Sequence, residues 1–335
     1  MPNRIAWGRP HSRSGTCHLS RGFADELVLN PRYFAELLDH PCVSTLHTVT
    51  GFDSGLPVKV ARAFLQRPSS SKLRHVAALS KELFESLDAP LLPWPSVGLG
   101  FHPGPEHHAQ LRAVKALELP PARTLVTASS FEGLRQLEKL RIRDAAPGAF
   151  APLEELRELE VRHWRRGPTW AEELAVAKKL ERLTLGSAVT GELVEDLPIK
   201  VLAAQTSIEL EVDPVIQALP ALEELRLGCG ASPATHMTIA KLLVSALWTR
   251  LRFVSAGIFE FTLPGRPEGL LELRASKGEK LEHHANTLAL LPSGLISKVI
   301  IRPRDPDPWV PAGPPPSGLE AIRAAAKVPV ELAWY

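Results

Sequence analysis

The apolar pattern L-x-x-L-x-x-L-x-L recurs along this chain. Leu134, Leu137, Leu140 and Ile142 form one copy, and Leu153, Leu156, Leu159 and Val161 form the next. A third is Ala177, Leu180, Leu183 and Leu185, a fourth Leu219, Leu222, Leu225 and Leu227, and another lies upstream at Leu111, Val114, Leu117 and Leu119. Weaker copies end at Val49, Val76, Val201, Leu251, Leu273 and Val299. The third anchors fall at 117, 140, 159, 183, 201, 225, 251, 273 and 299, in steps of 23, 19, 24, 18, 24, 26, 22 and 26 residues. Steps of that size mark stacked coils, each too small to bury its own apolar face.

The spacing carries its own physics. The closing L-x-L has period 2, which a short strand presents to one side. The preceding steps of three turn the chain through a corner with its apolar residues still pointing inward. Segments such as 169–179 and 239–247 then return it for the next coil. Amphipathic helices also give steps of three and four. Here the L-x-L ending recurs, and 31 prolines and 22 glycines punctuate the chain too often for a helical bundle. Leucine supplies 52 of the 335 residues against 11 isoleucines, as a repeated leucine position requires. The expected fold class is an α/β solenoid with a parallel sheet on one side and mixed helix and loop on the other.

This pattern resembles the leucine-rich repeat family, most clearly over 111–274, and implies an irregular horseshoe with a parallel concave sheet. The family's turn asparagine or cysteine would fall at Ala145, Trp164, Ala188 and Gly230, and the chain has only Asn3, Asn30 and Asn286. An asparagine ladder is therefore impossible, and the turns must find other hydrogen-bond partners. A narrower resemblance lies near the start. Arg21-Gly22-Phe23, Leu27, Tyr33-Phe34, Leu37-Leu38 and Pro41 before a first repeat look like bacterial proteins in which a short companion domain precedes degenerate repeats. That domain is expected to be missing from this chain. Residues 1–20 are expected to be disordered, a remainder of the companion domain or a mis-assigned start. Residues 21–302 are the expected solenoid, with 21–40 its N-terminal cap and a helix over 31–38. Residues 303–316 form a Pro-rich spacer and 317–335 a C-terminal cap, or a peptide-like element that docks on a partner. Ser317 and Glu320 match a capping box opening a helix through Lys327, and 328–334 can add a last strand.

Motifs that carry catalysis are missing. The chain has no P-loop and no G-x-S-x-G, and Gly98 and Gly100 are followed by Gly104 one residue too late for G-x-G-x-x-G. Glu-His-His-Ala occurs twice, at 106–109 and 282–285, but adjacent histidines point about 100° apart on a helix. They cannot chelate one metal as an i, i+4 pair can. His102 with His107 or His108 across the Gly-Pro loop is the one metal or hydrolytic alternative, set against solvated loop histidines. No cofactor is expected.

On parallel strands about 4.8 Å apart, the residues between anchors line one face: Glu118, Arg141, Glu160, Thr184, Leu202, Arg226, Arg252, Arg274 and Ile300. Arg226, Arg252 and Arg274 then follow one another, with Arg250 one position earlier. Either neighbouring glutamates pair with them and the face is solvated, or an acidic protein partner neutralises them. Trp164 and Arg165 suggest a second contact patch, since aromatic and arginine anchors dominate interfaces. With 39 basic and 37 acidic residues the net charge of +2 argues against nucleic acid. Three scattered cysteines and the lack of an apolar 20-mer suggest a cytoplasmic chain away from membranes. The sequence therefore reads as a monomeric, non-catalytic scaffold for a protein partner.

Overall fold

A computed structural model describes residues 3–6, 16–20, 23–28, 45–52, 55–87, 92–121, 125–162, 174–186, 197–206, 212–229, 247–276, 279–291, 293–304 and 314–334. The chain forms two compact units, Met1–Pro168 with Val176–Lys179, and Thr169–Ala175 with Leu180–Tyr335. Each is a segment of α/β solenoid.

In the first unit the strands are β1 (Asn3–Ala6), β2 (Thr16–Ser20), β3 (Phe23–Val28), β4 (Thr48–Thr50), β5 (His75–Leu79), β6 (Ser96–Leu99), β7 (Ala116–Glu118), β8 (Lys139–Ile142) and β9 (Glu158–Val161). The first three pair antiparallel. From β3 onward each strand pairs in parallel with the next. Residues 1–20, expected to be disordered, thus contribute two strands, and 23–28, expected to belong to a cap, form the first strand of the parallel ladder. The helix expected over 31–38 lies outside the described residues. Register places Leu27, Val49, Val76, Val97, Leu117, Leu140 and Leu159 side by side, each at most 3% exposed. One coil's anchor is dry only because the next coil covers it.

The steps of three are backbone turns. Leu134 N–H donates to Phe131 O and Leu137 N–H to Leu134 O, both near 3.0 Å, and Leu153 and Leu156 repeat the pattern from Phe150. Each turn aims a side chain inward, and both phenylalanines are fully buried. A second motif stitches successive coils: two consecutive N–H groups converge on one carbonyl of the coil before. Arg74 and His75 meet His47 O, Lys115 and Ala116 meet Pro95 O, Glu138 and Lys139 meet Lys115 O, and Arg157 and Glu158 meet Glu138 O. These shared acceptors satisfy backbone donors without side chains. At Ala145, where the asparagine would stand, a parallel bridge to Val126 takes its place, with Ala146 N–H donating to Val126 O at 2.7 Å. Trp164, Ala188 and Gly230 lie outside the described residues. Short helices α1 (Val58–Leu65), α2 (Lys81–Ser86, with Ser80 Oγ accepting from Leu83 N–H) and α3 (His108–Leu111) return the chain.

The second unit contains β10 (Arg182–Leu185), β11 (Val201–Thr206), β12 (Glu224–Cys229), β13 (Phe253–Ala256), β14 (Phe259–Thr262), β15 (Leu270–Ala275), β16 (Lys298–Pro303) and β17 (Val330–Leu332), with α4 (Val212–Ala218), α5 (Glu282–Ala289) and α6 (Leu319–Ala326). β10 to β13 are parallel, as are β15 to β17, but β14 runs antiparallel to both neighbours. Gly257, at φ 61°, opens a two-residue turn between paired Ala256 and Phe259, a conformation that favours glycine. An in-sheet strand therefore replaces one return path. The register also differs from the one that leucine spacing predicts. Leu183 and Leu225 align with Leu202, not Val201; Val254, not Leu251, continues the row; and Leu271, not Leu273, aligns with Val299.

At the C-terminus β17 pairs in parallel with β16, and α6 precedes it. The expected capping box does not form. Gly318, at φ 81°, starts the helix one residue later, Ser317 Oγ turns toward Glu282 at 3.5 Å, and Glu320 pairs with Arg323. Most of the Pro-rich spacer lies outside the described residues; Pro303 itself ends β16 opposite Ala275.

Two predictions follow from this packing. Leu140→Ala removes a residue 2% exposed and should cost about 2–5 kcal/mol in urea unfolding; a cost near zero would mean the anchor row is not packed. The Glu138 carboxyl is held below the usual glutamate range, chiefly by the hydrogen bond from Lys115 Nζ at 2.8 Å. Because its folded value is depressed, the stabilisation is present above the unfolded value and is lost as pH falls through the folded one. A carboxyl-carbon NMR titration should place Glu138 below a free glutamate, and Lys115→Met should raise it; no change would remove the contact.

Candidate functional site

In the first unit Glu118, Arg141 and Glu160 face outward between the two buried rows, and the buried Gly98 stands in register with them on β6. β5 departs from this regularity. Val76 pairs with Val97 and Leu79 with Leu99, so Ala77 and Ala78 together oppose Gly98. This is a β-bulge in a parallel pair, with Ala78 at φ 61°. A Cβ on Gly98 would stand 3.0 Å from Ala77 Cβ and 3.1 Å from Ala77 Cα. Gly100 N–H donates to Leu79 O at 2.7 Å and closes the far side of the bulge. The surface here lacks side chains above the backbone, and a cleft of about 230 Å³ opens over it.

Glu118, Arg141, Arg143 and Arg162 wall the cleft, with Pro120 and Pro121 after β7. Arg141 Nε donates to Glu160 Oε1 at 2.8 Å and its Nη1 lies 3.4 Å from Glu118 Oε1. Arg162 Nε lies 3.5 Å from Glu160. Arg143 differs: its Nε is buried and meets no acceptor. A buried donor without a partner costs about 1–3 kcal/mol, while the exposed pairs around it contribute about 0–1 kcal/mol each. Among the described residues the site holds one cation more than its carboxylates neutralise.

The structure does not bring the three-arginine row together. Arg226 registers with Ser255 on β13, and Glu272 on β15 occupies the corresponding position. Arg252 precedes β13, its N–H bonded to Glu223 O at 2.7 Å, and Arg274 lies two residues beyond the row. Each paired arginine has its carboxylate nearby. Arg226 meets Glu224 at 2.8 Å and sits 5.0 Å from the Phe253 ring centre; Arg274 meets Glu260 at 2.9 Å and Glu272 at 2.6 Å. Arg250 donates to the carbonyls of Ile216 and Leu219 near the end of α4, a capping role that suits a cation. Trp164 and Arg165 lie outside the described residues.

The histidines serve the fold. His107 is 3% exposed and sits edge-on to Phe84 and Phe101 at 5.5 and 5.1 Å. Its Nδ1 accepts from Gly104 N–H at 3.0 Å, which leaves the ring proton on Nε2 facing Glu85 Oε1 at 3.4 Å. His108 Nε2 meets Ser130 O at 3.1 Å. His102 Nε2 is buried without a hydrogen-bond partner. The Glu106 carboxyl is held below its usual range by a backbone hydrogen bond first and by nearby His107 second among the lowering causes. The second Glu-His-His-Ala opens α5, and there His284, not the first histidine, sits edge-on to an aromatic ring, that of Phe259 at 5.6 Å. The two tetrapeptides are thus not equivalent sites. Among the described residues no group of three or more His, Cys, Asp or Glu is placed to hold a metal, and no helix is long and apolar enough to cross a membrane.

No family model matches the sequence, and no curated protein matches it. Among solved structures the chain is similar to an internalin from Listeria monocytogenes, with a TM-score of 0.38 and 11% identity over 87% of this chain and 82% of that one. It is also similar to a structure of the Toll–Spätzle complex, described as a hub in Drosophila development and innate immunity, with a TM-score of 0.32 and 12% identity over 83% of this chain and 40% of that one.

The cleft depends on a bare floor. Gly98→Val should displace the bulge or fill the cleft, since its Cβ would press on Ala77 at 3.0 Å; overpacking of this kind costs about 1–3 kcal/mol. Thermal unfolding measures the cost, and an unchanged melting temperature would mean the bulge is loosely held.

Proposed function

We propose that this chain is a non-catalytic binding module for a protein partner with an acidic surface, acting as a monomer in the cytoplasm. One observation carries the reading. Parallel strands hold a row of outward-facing, largely charged side chains in register between two buried rows, as with Glu118, Arg141 and Glu160. Such a row is preorganised by the core beneath it, and preorganisation lowers the entropy lost on binding. Arg141 in one unit and Arg226 and Arg274 in the other are the proposed contacts, with Arg252, Arg250, Trp164 and Arg165 as outlying ones. Carboxylates already beside these arginines set specificity, because a partner must displace or match them. The narrower resemblance to bacterial proteins with a companion domain belongs to this proposal too. A metal-dependent or hydrolytic reading would recruit His102, His107 and His108, and it gains no support from His107 and His108, whose ring nitrogens engage protein groups.

The test is capture from source lysate by the wild type and by an Arg141→Glu, Arg226→Glu, Arg274→Glu variant shown to be folded by circular dichroism. A partner identified by mass spectrometry should be lost from the variant, and its binding should weaken as salt is raised. Equal retention by both chains, or salt-insensitive capture, would overturn the charged-row reading.

A further inference from the structure

We infer that the cleft over the β5 bulge is a subsite for a single carboxylate, the side chain of a glutamate or aspartate in an extended acidic peptide, with Arg143 as its anchor. The inference rests on the reading above and narrows it to one pocket. Three observations support it. The floor, Ala77, Ala78, Gly98 and Gly100, is side-chain-poor because a bulge faces two glycines, and it lets a ligand approach the backbone. The volume of about 230 Å³ lies below the ~300–1,000 Å³ of small-molecule pockets and suits one acidic side chain. Arg143 carries a buried Nε without an acceptor, whereas Arg141 and Arg162 each hold Glu160. A carboxylate entering the cleft supplies the ionic partner that Arg143 lacks among the described residues, at the part of the side chain that lines the cleft and not at the solvent-shielded Nε.

The charge count selects the ligand. Among the described residues, Arg141, Arg143 and Arg162 stand against Glu118 and Glu160, which leaves one positive charge for the ligand. A carboxylate carries one negative charge. A phosphate group carries about 1.5–2 and would meet Glu118 and Glu160 with charge left over. The planar guanidinium also matches a carboxylate in two-point geometry. Pro120 and Pro121 on the wall cannot donate backbone hydrogen bonds, so the polar recognition falls to the arginines and the bulge.

The test uses the full chain labelled with ¹⁵N-arginine and follows the arginine Nε–H signals, assigned with Arg143→Gln. The probes are N-acetylglutamate amide, N-acetylglutamine amide and inorganic phosphate at constant ionic strength. The expected result is a saturable shift of the Arg143 signal with the glutamate probe, none with its glutamine counterpart, and glutamate binding at least about ten-fold weaker in Arg143→Gln. An Arg143 signal that only drifts without saturating, or that responds equally to glutamine, overturns the subsite. Tighter binding of phosphate than of the glutamate probe overturns the carboxylate assignment. Because none of these probes is the captured partner, a silent cleft beside an intact charge-dependent capture removes the subsite and leaves the binding module standing.

Discussion

A coil of this chain has no interior of its own. Its anchor residue sits in a strand of three to six residues, and what keeps Leu117 or Leu140 out of water is the strand on either side. Burying a leucine contributes about 1.5–3 kcal/mol, and that gain exists only when neighbouring coils are in register. Nearest-neighbour burial therefore carries the fold, and the remaining features either hold the register or exploit it.

Register is held mainly by backbone. Where an asparagine ladder would knit the turns of a more regular solenoid, pairs of successive N–H groups converge on single carbonyls such as Lys115 O and Glu138 O. A carbonyl has two lone pairs, and a shared acceptor satisfies both donors. This device depends on no particular side chain, which explains how sequences as different as Pro-Ser-Val-Gly-Leu at 95–99 and Glu-Lys-Leu-Arg-Ile at 138–142 form equivalent strands. It also frees outward positions to carry charge, and the exposed pairs between coils, Lys115 with Glu138 and Lys139 with Glu158, follow the same register.

The strong copies were legible because leucine marks them: Leu117, Leu140, Leu159, Leu183 and Leu225 each sit at the anchor of a strand. The coil at Val97 was not legible because Trp94 stands where the preceding leucine would, between Pro93 and Pro95. At Val201 the valine stands one residue before the true anchor, Leu202; the errors at Leu251 and Leu273 share another cause. Leucines that close a corner or follow an anchor are as buried as the anchor itself, and spacing alone cannot rank them. The β14 hairpin was hidden because Phe259-Glu260-Phe261 reads as one more apolar alternation, and strand direction depends on the turn at Gly257. Arg141 was visible as an outward residue of its strand. Arg143, Gly98 and Ala78 were not, because a bulge is a relation between two strands and the shielding of the Arg143 Nε a product of tertiary packing.

Registered burial makes a direct claim about which methyl groups touch. With selectively methyl-labelled leucine and valine, nuclear Overhauser contacts should run from Val49 to Val76, Val97, Leu117, Leu140 and Leu159 in one unit. In the other, they should join Leu202 to Leu225 and Leu225 to Val254. Contacts that instead join Leu225 to Leu251 as strand neighbours, or an absence of contacts along the Val49–Leu159 row, would contradict the coil register on which the cleft, the charged row and the burial account all stand.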